Sequence, residues 1–168
     1  MSYLAFAQTA DKTIANTVTE TTLFGTGIGT LTLAANFWVI GKTVRITISG
    51  DFADTGTPTA RVKVKFGATT LIDSTALSLT ALGGTEEWDI HILMTCRTTG
   101  AAGTIETNII FEYETTIGSS PIERFDIPGT STVVDTTAIG ALDATFQWGT
   151  ASASNTLTSE VALVEVLN

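Results

Sequence analysis

Apolar and polar residues alternate with period two along most of the chain, whereas the 3.6-residue spacing of an amphipathic helix is hard to find. Successive side chains of an extended chain point to opposite sides, so each alternating run predicts a strand with one buried face. Val44, Ile46 and Ile48 alternate with Arg45, Thr47 and Ser49; Val62, Val64 and Phe66 alternate with Arg61, Lys63 and Lys65. Trp88, Ile90, Ile92, Met94 and Cys96 form the apolar side of a longer run that carries Asp89, His91, Thr95 and Arg97 on the other. Ile105, Ile109, Phe111 and Tyr113 repeat the pattern against Glu106, Asn108, Glu112 and Glu114. These last two runs flank Thr98-Thr99-Gly100-Ala101-Ala102-Gly103, which predicts a long antiparallel hairpin.

Shorter strands are predicted at 31–33, 71–73, 77–79, 132–135 and 144–148, with a final one from 157 to 167. Turn signals separate them at Gly25, Gly27 and Gly29, at 50–56, at Gly83-Gly84, at 118–121, at Pro128-Gly129 and at 149–155. About eight to ten short strands at this spacing predict an all-β domain, an antiparallel two-sheet jelly-roll sandwich. The last strand departs from alternation, with apolar residues in both phases from Val161 to Leu167 apart from Glu165. Such a strand lies centrally in a sheet or against another subunit, which makes Val161 and Leu163 candidate interface residues.

Composition narrows the function. Charged residues are 15% of the chain, below the quarter usual in soluble domains, so much of the surface is neutral. The net charge of −9 opposes binding to a nucleic-acid backbone or an anionic membrane. Cys96 is the only cysteine and has no internal disulfide partner. The first eleven residues lack the basic start and the long apolar stretch of a secretory signal, and no apolar run approaches the roughly 20 residues that span a bilayer.

No catalytic, cofactor or metal residues are nominated. Gly41-Lys42-Thr43 imitates the end of a phosphate-binding loop, but Asn36 stands where that motif needs glycine and an alternating strand follows it. His91, the only histidine, has no Ser or Cys partner in its phase and reads as an exposed or interface residue; Cys96 reads as a small buried one. Asp51 and Asp54 supply two oxygens for a calcium ion at most, and an ordinary turn is the preferred reading. Glu86 and Glu87 are neighbours on a strand, point to opposite faces and read as solvated, not as a glycosidase pair. Arg61, Lys63 and Lys65 share one strand face, and Glu112 and Glu114 share another. Either these charges protect sheet edges or they pair strands or subunits and set partner choice.

The segment Phe146-Gln147-Trp148-Gly149-Thr150-Ala151-Ser152-Ala153-Ser154-Asn155-Thr156-Leu157-Thr158 resembles the ending of a recurrent structural module of tailed bacteriophages. Thr22 to Leu33, Asn36-Phe37 to Gly41-Lys42-Thr43, and Cys96-Arg97-Thr98-Thr99-Gly100 are similar to it as well, and the likeness covers the chain from residue 17 onward. These segments are rich in Thr, Gly and Ser and carry no catalytic signature. The resemblance implies a homotrimeric jelly-roll protein of the virion, of decoration, tail or receptor-binding type. Residues 17–168 are then one domain, and residues 1–16 either an arm, with Tyr3, Leu4 and Phe6 docking on a neighbouring subunit or the capsid, or a first strand. The expected function is capsid decoration or cementing, with the major capsid protein or another virion protein as partner. The alternative is a tail or fibre protein that recognises a host surface. Because Met1 begins some twenty residues before the β domain, little room is left for a fibre shaft and capsid placement is expected. Expected subunit-interface residues are Arg61, Lys63, Lys65, Glu112, Glu114, Val161 and Leu163.

Overall fold

The computed structural model describes residues 2–116 and 119–168, and of residues 119–121 the backbone only. In chain order its strands are β1 (Tyr3–Gln8), β2 (Lys12–Ala15), β3 (Thr21–Thr22), β4 (Gly27–Gly29), β5 (Thr32–Leu33), β6 (Thr43–Ala53) and β7 (Thr59–Phe66). They continue as β8 (Thr69–Asp73), β9 (Leu77–Ser78), β10 (Thr85–Thr98), β11 (Gly103–Thr116), β12 (Ser119–Val134), β13 (Gly140–Trp148) and β14 (Thr156–Val166). The large sheet runs β12-β11-β10-β6-β14-β1-β4, with β2 also on β14. The small sheet runs β3-β13-β7-β8, with β5 on β13 and β9 on β7. Every pairing is antiparallel, and the chain crosses between the sheets at each step from β2 to β7, then at β9 to β10, β12 to β13 and β13 to β14. This is the two-sheet jelly-roll sandwich that the alternation predicts.

Each alternating run turns its apolar phase inward. Val44, Ile46, Ile48 and Phe52 of β6, Val62 and Val64 of β7, Trp88 to Cys96 of β10 and Ile105 to Tyr113 of β11 fill the space between the sheets. Burying one such side chain contributes about 1.5–3 kcal/mol, so the inner face of each sheet fixes its strand register. The centre is aromatic: Phe52 stacks on Trp148 at 5.4 Å and meets Phe111 and Phe146 edge-on. Cys96 is 1% exposed, as its phase predicts, and burial raises its thiol pKa.

Four local outcomes differ from the pattern-based expectation. The turn signal at 50–56 begins inside β6, where Gly50 to Ala53 still pair with β10 and β14. The Pro128-Gly129 turn signal lies inside β12, where Thr130 pairs with Thr107 and Ile127 with Ile109. Pro128 and Gly129 together therefore face the single residue Asn108. This is a bulge on an edge strand, where a missing N–H is tolerated. The signal at 118–121 falls outside the described residues at Gly118, and β12 begins at Ser119. Gly27 and Gly29 form strand β4 instead of a turn. A Cβ on Gly27 would lie 2.3 Å from the Phe6 ring, so only glycine lets β4 close over β1.

The N-terminal segment is a strand, not a detached arm. β1 pairs with both β14 and β4, and Phe6 is 5% exposed with its ring edge-on to Phe24 at 5.5 Å, so Phe6 belongs to the core. Tyr3 and Leu4 are 51% and 54% exposed. Strand β14 is central, between β6 and β1, which accounts for its apolar inner phase of Ala162, Val164 and Val166. Its outer phase, Val161 and Leu163, lies on the open side of the sheet.

Candidate interaction surface

Cross-strand register assembles the outer face of the large sheet from residues far apart in sequence. One row crosses all seven strands through Ile28, Ala7, Leu163, Thr47, His91, Ile110 and Asp126. The next row holds Leu4, Glu165, Arg45, Leu93 and Asn108, and the row on the other side holds Val161, Ser49, Asp89, Glu112 and Arg124. Leu4, Ile28, Leu93 and Val161 are all exposed. Arg45, His91, Leu93, Asn108 and Ile110 border a shallow, mostly apolar groove along this face.

The charges in these three rows are tied to one another. Arg45 donates from Nε and Nη2 to Glu165 at 2.9 and 2.8 Å. His91 Nε2 lies 2.8 Å from Asp89 Oδ1, and Arg124 reaches both Glu112 at 3.2 Å and Asp126 at 2.8 Å. Burial raises the Asp89 carboxyl and Glu112 adds to this, against the opposing pull of His91. Ligand atoms of Asp89, His91 and Glu112 lie within 4.8 Å of one another. The Arg124 guanidinium already supplies the positive charge there, so the cluster is an ion-pair network in which a metal ion would meet a fixed cation. His91 is exposed, as its strand phase predicts.

The basic row sits on the opposite side of the molecule. Arg61, Lys63 and Lys65 lie on the outer face of the small sheet, and β7 is flanked by β13 and β8, so they do not guard an edge. Nor do Glu112 and Glu114, since β11 lies between β10 and β12. The basic row is matched within the chain. Arg61 holds Asp73 through two bonds of 2.7 and 2.5 Å, and Lys63 and Lys65 both hold Glu20. Outer faces of two packed sheets look away from each other. A contact between the basic row of one copy and Glu112 and Glu114 of another therefore stacks copies front to back, an open arrangement that does not close a ring of three.

Glu20 fastens the segment before β3 to the small sheet, accepting hydrogen bonds from Lys63 on β7 and Thr145 on β13 as well as the Lys65 contact. Burial alone would raise its carboxyl; the three partners outweigh that and hold the pKa at about 2. A depressed pKa contributes stability that is present above the ordinary carboxylate range and lost as pH falls toward 2. With the side chain 23% exposed, solvent screening limits the expected loss in Glu20→Gln at pH 7 to about 1–2 kcal/mol. Urea unfolding from pH 7 to pH 2 should show the gap to wild type closing below pH 4.5; a constant gap would place its origin in packing.

Two acidic residues take positions that local spacing did not nominate. Glu87 is exposed, but Glu86 is 3% exposed and faces the core opposite Phe52. Asp51 lies on the outer face, whereas Asp54 is 6% exposed, so these two do not form a shared turn site. The available signal was phase: Glu86 stands two residues from Trp88, and Asp54 two from Phe52, each on the apolar side of its run. No family model, curated protein or solved structure matches the chain.

Proposed function

We propose that the protein is a non-enzymatic structural component of a bacteriophage virion, a capsid decoration protein that associates as a homotrimer and fastens to the shell. The observation that carries this reading is the open face of the large sheet. There Leu4, Ile28, Leu93, Val161 and Leu163 line up on paired strands with no segment of the described chain over them. Apolar surface of this kind, rimmed by polar residues, marks contact with other proteins. The phage-module resemblance of the sequence supplies the virion setting and the number three. Many weak contacts of a symmetric oligomer gain strength when they engage a repeating shell together.

Sedimentation at micromolar concentration is expected to give a species three times the 17.6 kDa chain mass; a monomer alone would overturn the trimer. Leu163→Asp places a charge in the middle of the apolar rows and should weaken association by about 2 kcal/mol, roughly thirtyfold, with an unchanged far-ultraviolet spectrum. Quantitative mass spectrometry of the virion separates the two placements. Hundreds of copies agree with the shell, whereas a few to a few tens would move the protein to the tail, as a receptor-binding or adaptor component.

A further inference from the structure

We propose that Asp54 and Glu86, buried at one end of the core beneath residues 82–84, bind a divalent cation of the hard, oxygen-seeking class, with calcium as the best fit. The inward phases of β6 and β10 converge there. Phe52 pairs with Glu86, and Asp54 follows two residues later on the same side, which makes the two carboxylates diagonal neighbours on one inner face. The same short segment touches both. The Leu82 N–H donates to Asp54 Oδ1 at 3.1 Å, and a Cβ on Gly84 would lie 3.6 Å from Glu86 Oε1.

Both side chains are more than nine-tenths buried, and each has one oxygen, Asp54 Oδ2 and Glu86 Oε2, without a hydrogen-bond donor. A buried carboxylate oxygen with no partner is costly, and compensation comes from a proton or a cation. No lysine or arginine among the described residues pairs with either group. Burial raises the Asp54 carboxyl, as expected for an anion lacking a counter-charge. Two negative charges match a divalent ion. Their oxygens would be the protein's carboxylate share of the six to eight hard ligands calcium takes, with backbone carbonyls and water as the rest, while zinc or copper would require the nitrogen or sulfur donors that lie elsewhere, in His91 and Cys96.

The experiment uses the full chain, freed of metal with a chelator and titrated with calcium chloride by calorimetry and thermal melting. One calcium per chain is expected, with Tm raised by about 5–10 °C when calcium exceeds its Kd a hundredfold. Glu86→Gln and Asp54→Asn keep side-chain volume and should weaken binding by about tenfold or more. Asp89→Asn, in the ion-pair network of the outer face, should bind calcium like wild type. Absence of calcium binding in the wild type overturns the proposal whether or not the variants fold. So does retention of full affinity by both amide variants, or loss of binding in Asp89→Asn. Failure of the trimer reading leaves these outcomes unchanged, because none of them depends on association.

Discussion

Phe52→Ala is expected to lower the unfolding free energy by about 3–5 kcal/mol, a large share of the roughly 5–15 kcal/mol that holds an ordinary domain folded. Phe52 is fully buried on β6 and makes the main bridge between the sheets, stacked on Trp148 of β13 and tilted against Tyr113 of β11 at 5.1 Å. Alanine removes the ring from the middle of these partners. Their own strands hold them in place, so the space cannot close fully and a cavity remains. Each aromatic contact adds about 0.5–1.5 kcal/mol beyond simple burial. The check is the urea midpoint at unchanged slope, together with near-ultraviolet dichroism from Trp148 and Trp88. A loss below about 1 kcal/mol would show that neighbouring rings refill the site.

Gly50→Ala, the smallest possible enlargement, is expected to cost about 3 kcal/mol or more. Gly50 occupies an inward position of β6, between Trp88 of β10 and Ser159 of β14. The β14 register shifts between Ser159 and Val161, and this bulge brings the β14 backbone over Gly50. A Cβ there would meet the Thr158 carbonyl oxygen at 2.1 Å and the Glu160 nitrogen at 2.9 Å. Backbone atoms in a central strand cannot swing aside. The Trp88 indole N–H also donates to the Thr158 and Asp51 carbonyls, both at 3.1 Å, so displacing β14 breaks that link as well. Unfolding of Gly50→Ala at wild-type denaturant concentration would mean that β14 yields locally.

Sheet architecture was legible wherever one strand buries one face, because burial then writes period two into the sequence. The runs at 44–48, 62–66, 88–96 and 105–113 have that form, and their inward residues are the buried ones. Strand β12 was visible only in its last residues. Proline and glycine usually end strands, and only the pairing of Ile127 and Thr130 across Asn108 shows that here they mark a bulge. The candidate interaction face was only partly legible. Val161 and Leu163 stood out through the doubled apolar phase, but their alignment with Ile28, Leu4 and Leu93 depends on which distant strands become neighbours. Long-range register also hid the counter-charges of the basic row, since Glu20 precedes Lys63 by 43 residues and meets it only because β3, β13 and β7 adjoin.

The bulge at Pro128 and Gly129 has a consequence for how copies of the chain can grow into larger objects. Strand β12 is one margin of the large sheet, and the other is divided between β4, three residues long with glycine at both ends, and β2, four residues long. A margin that is kinked, lacks an N–H and carries Glu123, Arg124 and Asp126 in quick succession offers a poor template for a new strand, and margins of three and four residues are too short to hold one. Edge-to-edge extension into cross-β fibrils is thereby suppressed at both ends of the sheet. Any contact between copies is then left to the broad faces, where the direction of approach is set by the sandwich and not by a growing strand ladder.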